Sequence, residues 1–225
     1  MVGGAYAASW AVRNPRSSVF APSVWHGEKG RRAVALTFDD GPSPSTPSIL
    51  EILKQYSVKA TFFLVGRNTL AQPDIARECL RQGHDLANHS HTHPNFALKS
   101  SSFVMDEFEQ AQRAIVETTG VTPCFLRAPY GVRWFGFAAA QRRLSLRGVM
   151  WSVIGRDWRL PAAEVEARIL NHAKDGDIIC LHDGRDIQAA PDVTSTVEAV
   201  RKIVPTLLER GYHFETVSEI LCPMK

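Results

Sequence analysis

The sequence lacks an apolar stretch long enough to cross a membrane. Its most apolar terminal segment, MVGGAYAASWAV, runs for about a dozen residues, whereas a membrane-spanning helix needs about 20. The segment also lacks the charged start of a secretory signal peptide. Because residues 13–30 are rich in Pro, Ser and Gly, we interpret residues 1–30 as an N-terminal arm or linker. The apolar start could be the remnant of a membrane anchor whose beginning is missing, which would provide a membrane tether.

Cysteine is scarce and the charges nearly balance. The four cysteines are widely spaced and form no CxxC pair; they are Cys79, Cys124, Cys180 and Cys222. Buried free thiols are therefore favoured over two disulfides. The 26 Lys and Arg against 23 Asp and Glu give a net charge of +3 without a basic run, which argues against a nucleic-acid partner. The length of 225 residues suits one domain.

Short apolar runs alternate with helical patterns along the chain. The runs predict strands at 33–38, 60–65, 85–88, 124–127, 148–153, 177–181 and 212–217. The helical patterns lie at 48–56, 73–82, 101–120, 134–145, 162–174 and 194–210. About seven β–α alternations predict an α/β fold with a parallel sheet, either closed as a barrel or doubly wound.

Ionisable residues follow five of the predicted strands. They are Asp39 and Asp40, then His89, His91 and His93, then Arg127, Asp157 and His182. The carboxyl ends of parallel strands meet at one edge of a sheet, where functional residues gather. We therefore expect these side chains to converge on one site.

The first two of these residues, Asp39 and Asp40, leave a strand next to each other, so their side chains point to opposite sides. One carboxylate could bind a metal while the other faces a reacting water. An ordinary turn is the alternative, because Asp-Gly-Pro is common in turns.

The histidine cluster predicts a metal site. His89 and His93 are four residues apart, which places them on one side of a helical turn, with His91 pointing elsewhere. If the segment is extended, His91 lies on the same side and could compete, and a solvated polar loop is the remaining alternative. Two histidines, one carboxylate and an open position are typical of catalytic zinc.

Arg127 and Tyr130 also have two interpretations. Arg127 is either a surface charge or a fixed partner that holds a carboxylate ionised. Tyr130 stands between Pro129 and Gly131, where a backbone N–H can face a ligand and stabilise an oxyanion.

His182 ends an apolar strand, and a lone histidine there is more often structural than catalytic. Asp157, at the end of a neighbouring strand, could fix its tautomer and hold an imidazolium. Trp158 and Leu181 could line a small apolar pocket or belong to the core.

Five motifs in order resemble the polysaccharide deacetylase family and its catalytic unit, the NodB-homology domain. They are TFDDGP (37–42), HSHTH (89–93), RAPYG (127–131), DW (157–158) and LHD (181–183). The resemblance covers residues 31–221 and implies a distorted (β/α) barrel of about seven units. It also implies metal-dependent hydrolysis of N-acetyl groups on amino-sugar polymers or oligomers such as peptidoglycan- or chitin-like glycans, with release of acetate.

The resemblance further implies a role for each site residue. Asp40, His89 and His93 would bind a divalent metal, usually Zn²⁺, with Co²⁺, Ni²⁺ or Mn²⁺ as alternatives. Asp39 would be the general base, held by Arg127, and the Tyr130 N–H would stabilise the oxyanion together with the metal. His182, oriented by Asp157, would be the general acid. The substrate pocket would include Trp158, Leu181, Pro129 and Tyr130.

One departure from the family pattern concerns the substrate. Many members have an additional Asp three residues before the Asp of the DW motif, and here that residue is Ile154. The alternatives are therefore the same chemistry on a small amide, a formyl group or an O-acetyl ester, or a catalytically inactive glycan-binding homologue. A cell-envelope glycan would place the protein outside the cytoplasm. The sequence does not give the oligomeric state.

Overall fold

A parallel sheet is the framework of the computed structural model, which describes residues 10–221. The first residues of the predicted anchor remnant and Cys222 lie outside this range. All strand pairings in the sheet are parallel, as expected. Its strands are β1 Ser23–Val24, β2 Ala33–Asp39, β3 Thr61–Leu64, β4 Asp85–Asn88, β5 Phe125–Leu126, β6 Arg147–Val149, β7 Val153–Ile154, β8 Ile178–His182 and β9 His213–Phe214.

Helices connect most of these strands. They are α1 Thr46–Gln55, α2 Gly66–Ala71, α3 Pro73–Arg81, α4 Ser101–Thr119, α5 Phe137–Arg143, α6 Ala162–His172, α7 Thr194–Glu209 and α8 Val217–Leu221. Helices α2 and α8 have no counterpart among the predicted helices, because six and five residues are too few to show a helical period. Within residues 10–221, no helix is both long and apolar enough to cross a membrane.

The strand predicted at 148–153 is two strands that stand far apart in the sheet, so that prediction is wrong. The strand order is β1-β6-β5-β4-β3-β2-β8-β7, with β9 beside β2. Strand β6 ends at Val149 and β7 begins at Val153. Residues 150–152 therefore link two strands that stand near opposite ends of the strand order. A chain spans at most about 3.6 Å per residue. The two ends of the strand order therefore lie close together in space, and the sheet is curled. This confirms the distorted barrel and not the doubly wound alternative.

Strand alternation gives β2 and β8 an outer and an inner face. The main hydrophobic core, which includes Leu181, lies between the outer face and helices α1, α6 and α7. Asp39 pairs with His182, and Thr37 pairs with Cys180. Because successive side chains of a strand alternate, Cys180 and His182 lie on the inner face, opposite to Leu181.

The segment predicted as an arm is docked on the domain from residue 10 onward. Strand β1 joins the sheet beside β6. The guanidinium of Arg133, which is buried, donates hydrogen bonds to the carbonyls of Asn14 and Ser17 at 2.5 and 2.6 Å. A buried arginine with backbone partners ties the segment to the rest of the fold.

Candidate active site

A cleft of about 720 Å³ opens at the carboxyl ends of the strands. The residues in its wall include Asp39, Asp40, His89, His93, Trp158 and His182. They lie at or after the ends of β2, β4, β7 and β8. The predicted convergence of ionisable residues at one edge of the sheet is therefore present.

Three of these residues form a group that could hold a metal ion. Asp40 Oδ1 lies 3.3 Å from His89 Nε2 and 3.0 Å from His93 Nε2. The carbonyl of Arg127 lies 2.9 Å from His89 Nδ1; since a carbonyl only accepts, Nδ1 carries the proton and Nε2 presents a lone pair. A buried carboxylate and two imidazoles with this arrangement fit a catalytic metal site.

Asp40 and His93 shift each other's pKa values in the direction that favours their charged forms. Burial alone would raise the pKa of Asp40, but the positive charge of His93 and the contact with His89 hold it well below its usual range. Burial lowers the pKa of His93, whereas the carboxylates of Asp40 and Asp186 raise it to about 9. Metal ions compete with protons for imidazole nitrogen, so the same negative charges favour a cation in the group.

The histidine segment is neither the predicted helical turn nor extended. Ser90 and His93 have positive φ angles of 66° and 56°, which bend the chain sharply after β4. The Asn88 side chain accepts a hydrogen bond from the Ser90 N–H at 3.0 Å, and Ser90 Oγ accepts one from the His93 N–H at 3.1 Å. These local bonds replace helical ones and bring His89 and His93 together.

His91 points away from the metal group. The N–H groups of His91 and Thr92 donate to Glu107 Oε2 at 2.9 and 2.8 Å, which fixes the loop on helix α4. The ring lies against Gly66, where a Cβ atom would be 2.5 Å from His91 Nδ1. His91 is therefore not among the residues that could hold the metal.

Asp39 is paired with a buried arginine. Arg127 Nη1 lies 2.5 Å from Asp39 Oδ1 and also donates to Thr37 Oγ1 at 2.8 Å. Its guanidinium stacks 3.9 Å from the ring centroid of Phe63, a cation–π contact. The other carboxylate oxygen, Asp39 Oδ2, lies 3.5 Å from Cys180 Sγ and 3.8 Å from His89 Nε2. Arg127 thus orients a carboxylate that lines the cleft.

His182 is oriented by Asp157, as predicted from the sequence. Asp157 Oδ1 lies 2.8 Å from His182 Nδ1, and Oδ2 accepts bonds from the His182 N–H at 2.8 Å and from Thr196 Oγ1 at 2.6 Å. Burial would lower the pKa of His182, but the charge and hydrogen bond of Asp157 raise it to about 9. The imidazole therefore holds a proton at neutral pH, and Nε2 is its remaining nitrogen.

Tyr130 has a left-handed backbone conformation, with φ 56°. In the described part of the chain, its N–H donates no backbone hydrogen bond, whereas the N–H groups of Gly131 and Val132 do. Its hydroxyl donates to Asp186 Oδ1 at 2.6 Å, and the same oxygen lies 2.6 Å from His93 Nδ1. Tyr130 lines the cleft, and its backbone N–H is a candidate donor to a ligand there.

Comparison with known proteins identifies the family. Residues 26–149, more than half of the chain, match the family model described as polysaccharide deacetylase. A chitooligosaccharide deacetylase from a Bradyrhizobium species is 36% identical over 200 residues, covering 85% of this chain and 91% of the relative. The chain belongs to the polysaccharide deacetylase family.

Two solved structures of this family share the fold. A peptidoglycan N-acetylglucosamine deacetylase is 32% identical, with a TM-score of 0.80 over 89% of this chain and 93% of its own. A pseudoenzyme of the CE4 family from Bacillus anthracis is 27% identical, with a TM-score of 0.80 over 88% of this chain and 68% of its own. The predicted polysaccharide-deacetylase barrel is confirmed, and so is membership of a class of hydrolases that act on amide C–N bonds.

The predicted apolar wall of the family pocket is only partly present. Trp158 lines the cleft and is about half exposed (49%), with its ring 5.0 Å from that of His182. Leu181 is fully buried in the main core, because it alternates with the inward-facing His182. Pro129 is also buried and does not contribute to the cleft wall, whereas Ile154 does. The structure therefore contradicts a cleft position for Leu181 and Pro129.

Two acidic residues near the site were not predicted. Asp186 follows β8 in a loop, where no periodic pattern points to it, and reaches His93. Asp183 belongs to the LHD motif and is fully buried; its Oδ2 accepts a hydrogen bond from Thr46 at 2.5 Å, and burial raises its pKa to about 7. A Cβ atom on Gly41 would clash with the Asp183 carboxylate. Asp183 therefore packs under the Asp-Gly-Pro turn that carries Asp40.

Proposed function

We propose that this protein hydrolyses N-acetyl groups of amino-sugar glycans, with a divalent metal held by Asp40, His89 and His93. One observation carries the proposal: a candidate metal group, a carboxylate held by an arginine and a histidine held by a carboxylate line one cleft. Amide hydrolysis needs an activated water, a stabilised oxyanion and a proton for the departing amine. The three groups match these three needs.

Asp39 is the general base in this proposal. Arg127 occupies Oδ1 and cannot lose its proton, so Oδ2 is the oxygen that can accept a proton from water in the cleft. Phe63 and the carbonyl of Met150, which accepts from Arg127 at 3.1 Å, keep the guanidinium in place. The carboxylate is thus aimed before substrate binds.

His182 is the general acid. With Nδ1 engaged by Asp157, Nε2 donates its proton to the amine nitrogen as the C–N bond breaks. A pKa of about 9 keeps the proton on the ring at neutral pH. Asp157 itself stays ionised, since His182 and Thr196 outweigh its burial and lower its pKa.

The oxyanion and the metal complete the proposal. The backbone N–H of Tyr130 donates to the carbonyl oxygen as it becomes negative. A divalent cation, zinc first with Co²⁺, Ni²⁺ or Mn²⁺ as alternatives, supplies positive charge that acidifies water and polarises a carbonyl. The Trp158 ring, half exposed beside His182, offers an apolar surface to the acetyl methyl group or the sugar.

The proposed substrates are chitin-like oligomers or peptidoglycan, by analogy with the names of the relatives. A peptidoglycan substrate would place the protein outside the cytoplasm. The predicted membrane tether belongs to the apolar start of the chain and stays a prediction.

The test measures acetate release from N-acetylglucosamine oligomers of several lengths and from peptidoglycan. We expect release with one equivalent of Zn²⁺, none after chelation, and recovery when the metal is returned. His93→Gln should abolish release and metal binding. His91→Gln is the matched control, because its ring lies outside the metal group, and it should retain both.

Two outcomes would contradict the proposal. If the chelated protein released acetate as fast as the metal-loaded protein, the metal would have no part in the reaction. Metal-loaded protein that binds glycans but releases neither acetate, from N-acetyl or O-acetyl groups, nor formate would favour an inactive glycan-binding homologue.

A further inference from the structure

A second group of potential metal ligands lies next to the first. Asp39, Cys180 and His182 each offer one donor atom, and these atoms lie within 4.8 Å of one another. Register explains the grouping, since Asp39 pairs with His182 across β2 and β8, and Cys180 lies two residues before His182 on the same face. None of the three belongs to the Asp40 group.

The donor atoms of this second group suit a soft metal ion. Cys180 Sγ lies 3.5 Å from Asp39 Oδ2. His182 Nδ1 is engaged by Asp157, so Nε2 is the nitrogen that is left to bind. A thiolate, an imidazole and a carboxylate are all zinc ligands, and the thiolate favours thiophilic ions over Mg²⁺ or Mn²⁺.

We propose that Asp39, Cys180 and His182 form a second, inhibitory site for a thiophilic divalent cation such as Cd²⁺ or excess Zn²⁺. Binding forms a metal–sulfur bond to Cys180 and a metal–nitrogen bond to His182 Nε2. It breaks the S–H bond and the Nε2–H bond, and both protons are released to solvent. No oxidant or reductant takes part.

The thiol is protonated until the cation arrives. Burial raises the pKa of Cys180 well above its usual range, and the carboxylate of Asp39 adds to this. A coordinated thiol is deprotonated by the charge of the metal. Uptake of the second ion should therefore release the protons of Cys180 and His182 and weaken as the pH falls.

The second ion would inhibit the enzyme because of the two side chains that it binds. It would engage the carboxylate proposed as general base and the imidazole proposed as general acid. This consequence rests on the proposed function, whereas binding of the second ion does not. A binding measurement therefore separates failure of this proposal from failure of the deacetylase proposal.

The experiment starts from full-length protein loaded with one equivalent of Zn²⁺ and titrated with Cd²⁺. Bound metal is counted by elemental analysis after gel filtration, and thiolate–Cd²⁺ charge-transfer absorption in the ultraviolet reports sulfur ligation. Cys180→Ala and Cys180→Ser are compared with Cys124→Ser, which removes an exposed thiol. All are made in a Cys222→Ser background. Acetate release is followed in parallel, with each variant normalised to its own maximum.

We expect a second bound ion, a charge-transfer band and inhibition in the parent and in Cys124→Ser. Both Cys180 variants should lose the band and bind the second ion at least about tenfold more weakly, since even a residue next to a ligand can matter that much. Mn²⁺ should not inhibit. A parent that takes up no second ion, or Cys180 variants that keep the band, would overturn the proposal.

Discussion

Two buried carboxylates at the cleft are each paired with a different kind of cation. Asp39 lies 2.5 Å from Arg127, and Asp157 lies 2.8 Å from His182. Arginine keeps its proton in proteins, whereas histidine can release one near neutral pH. The first pair therefore presents a fixed carboxylate to the cleft, and the second presents a proton donor.

The difference shows how one fold separates a base from an acid. In both pairs the carboxylate is almost completely buried, so burial does not distinguish them. The partner does: a permanent cation leaves the carboxylate as the reactive group, and a titratable cation becomes the reactive group itself. Variants that alter one pair at a time test whether the partner decides which group reacts.

Asp39→Asn breaks the first pair and has the largest expected effect. An amide cannot accept the proton of water, and general-base catalysis contributes about 10²–10⁴-fold, so kcat should fall about 10³-fold. Acetate release at saturating glycan measures this. Metal content should stay at one ion per chain, because Asp39 lies outside the Asp40 group. If the variant lost metal to the same extent as activity, Asp39 could not be a base that lies outside the metal group.

Asp157→Asn breaks the second pair and should act mainly through pH. The charge of Asp157 helps to raise the pKa of His182 to about 9, so its removal lowers that pKa. The general acid then loses its proton at lower pH, and the alkaline limb of the kcat–pH profile should move to lower pH. At a pH above the pKa of both proteins, lowering this pKa by one costs about tenfold in the protonated fraction. A uniform loss at every pH would assign Asp157 a purely structural role.

Asp186→Asn tests a third carboxylate–histidine contact, in which the carboxylate is about half exposed. Asp186 touches His93, which belongs to the metal group and not to the acid. Metal affinity should fall about tenfold, measured by competition with a chromophoric chelator, while the alkaline limb stays in place. Asp192→Asn, an exposed carboxylate in the same loop region, is the matched control. Equal effects of the two variants would contradict a specific role for Asp186.

Thr196→Val has the smallest expected effect on activity. It removes the hydroxyl that donates to Asp157 at 2.6 Å in a buried position, and a hydrogen bond to a charged group contributes about 1.5–3 kcal/mol. The free energy of unfolding should fall by about that amount, while kcat changes less than about tenfold. Denaturant unfolding measures this, with Thr206→Val on the same helix as the control. A larger loss of unfolding free energy in Thr206→Val than in Thr196→Val would contradict a stabilising bond between Thr196 and Asp157.

Much of the site could be predicted from residues at strand ends. Asp39 and His182 lie side by side because β2 and β8 are neighbours, and the motif order placed both at the same edge of the sheet. Leu181 could also have been placed correctly. It precedes the inward-facing His182 on a strand, so alternation alone sends it to the outer face.

Other features depended on contacts that no local pattern contains. The histidine segment is fixed on helix α4 by Glu107, which accepts hydrogen bonds from the N–H groups of His91 and Thr92. Asp186 lies in an irregular loop. The split of residues 148–153 into β6 and β7 follows from the partners of each strand, β5 and β8, rather than from the composition of the run.

The link at residues 150–152 ties the chemistry to the completion of folding. Arg127, which holds Asp39, also donates to the carbonyls of Val149 and Met150 at 3.3 and 3.1 Å. The base is therefore aligned only when the segments around Asp39, Arg127 and Met150 have come together beside this link. Contacts between distant parts of a chain form slowly. During refolding, hydrolytic activity should therefore return after the helical signal, so that the enzyme's own turnover reports when these three segments have met.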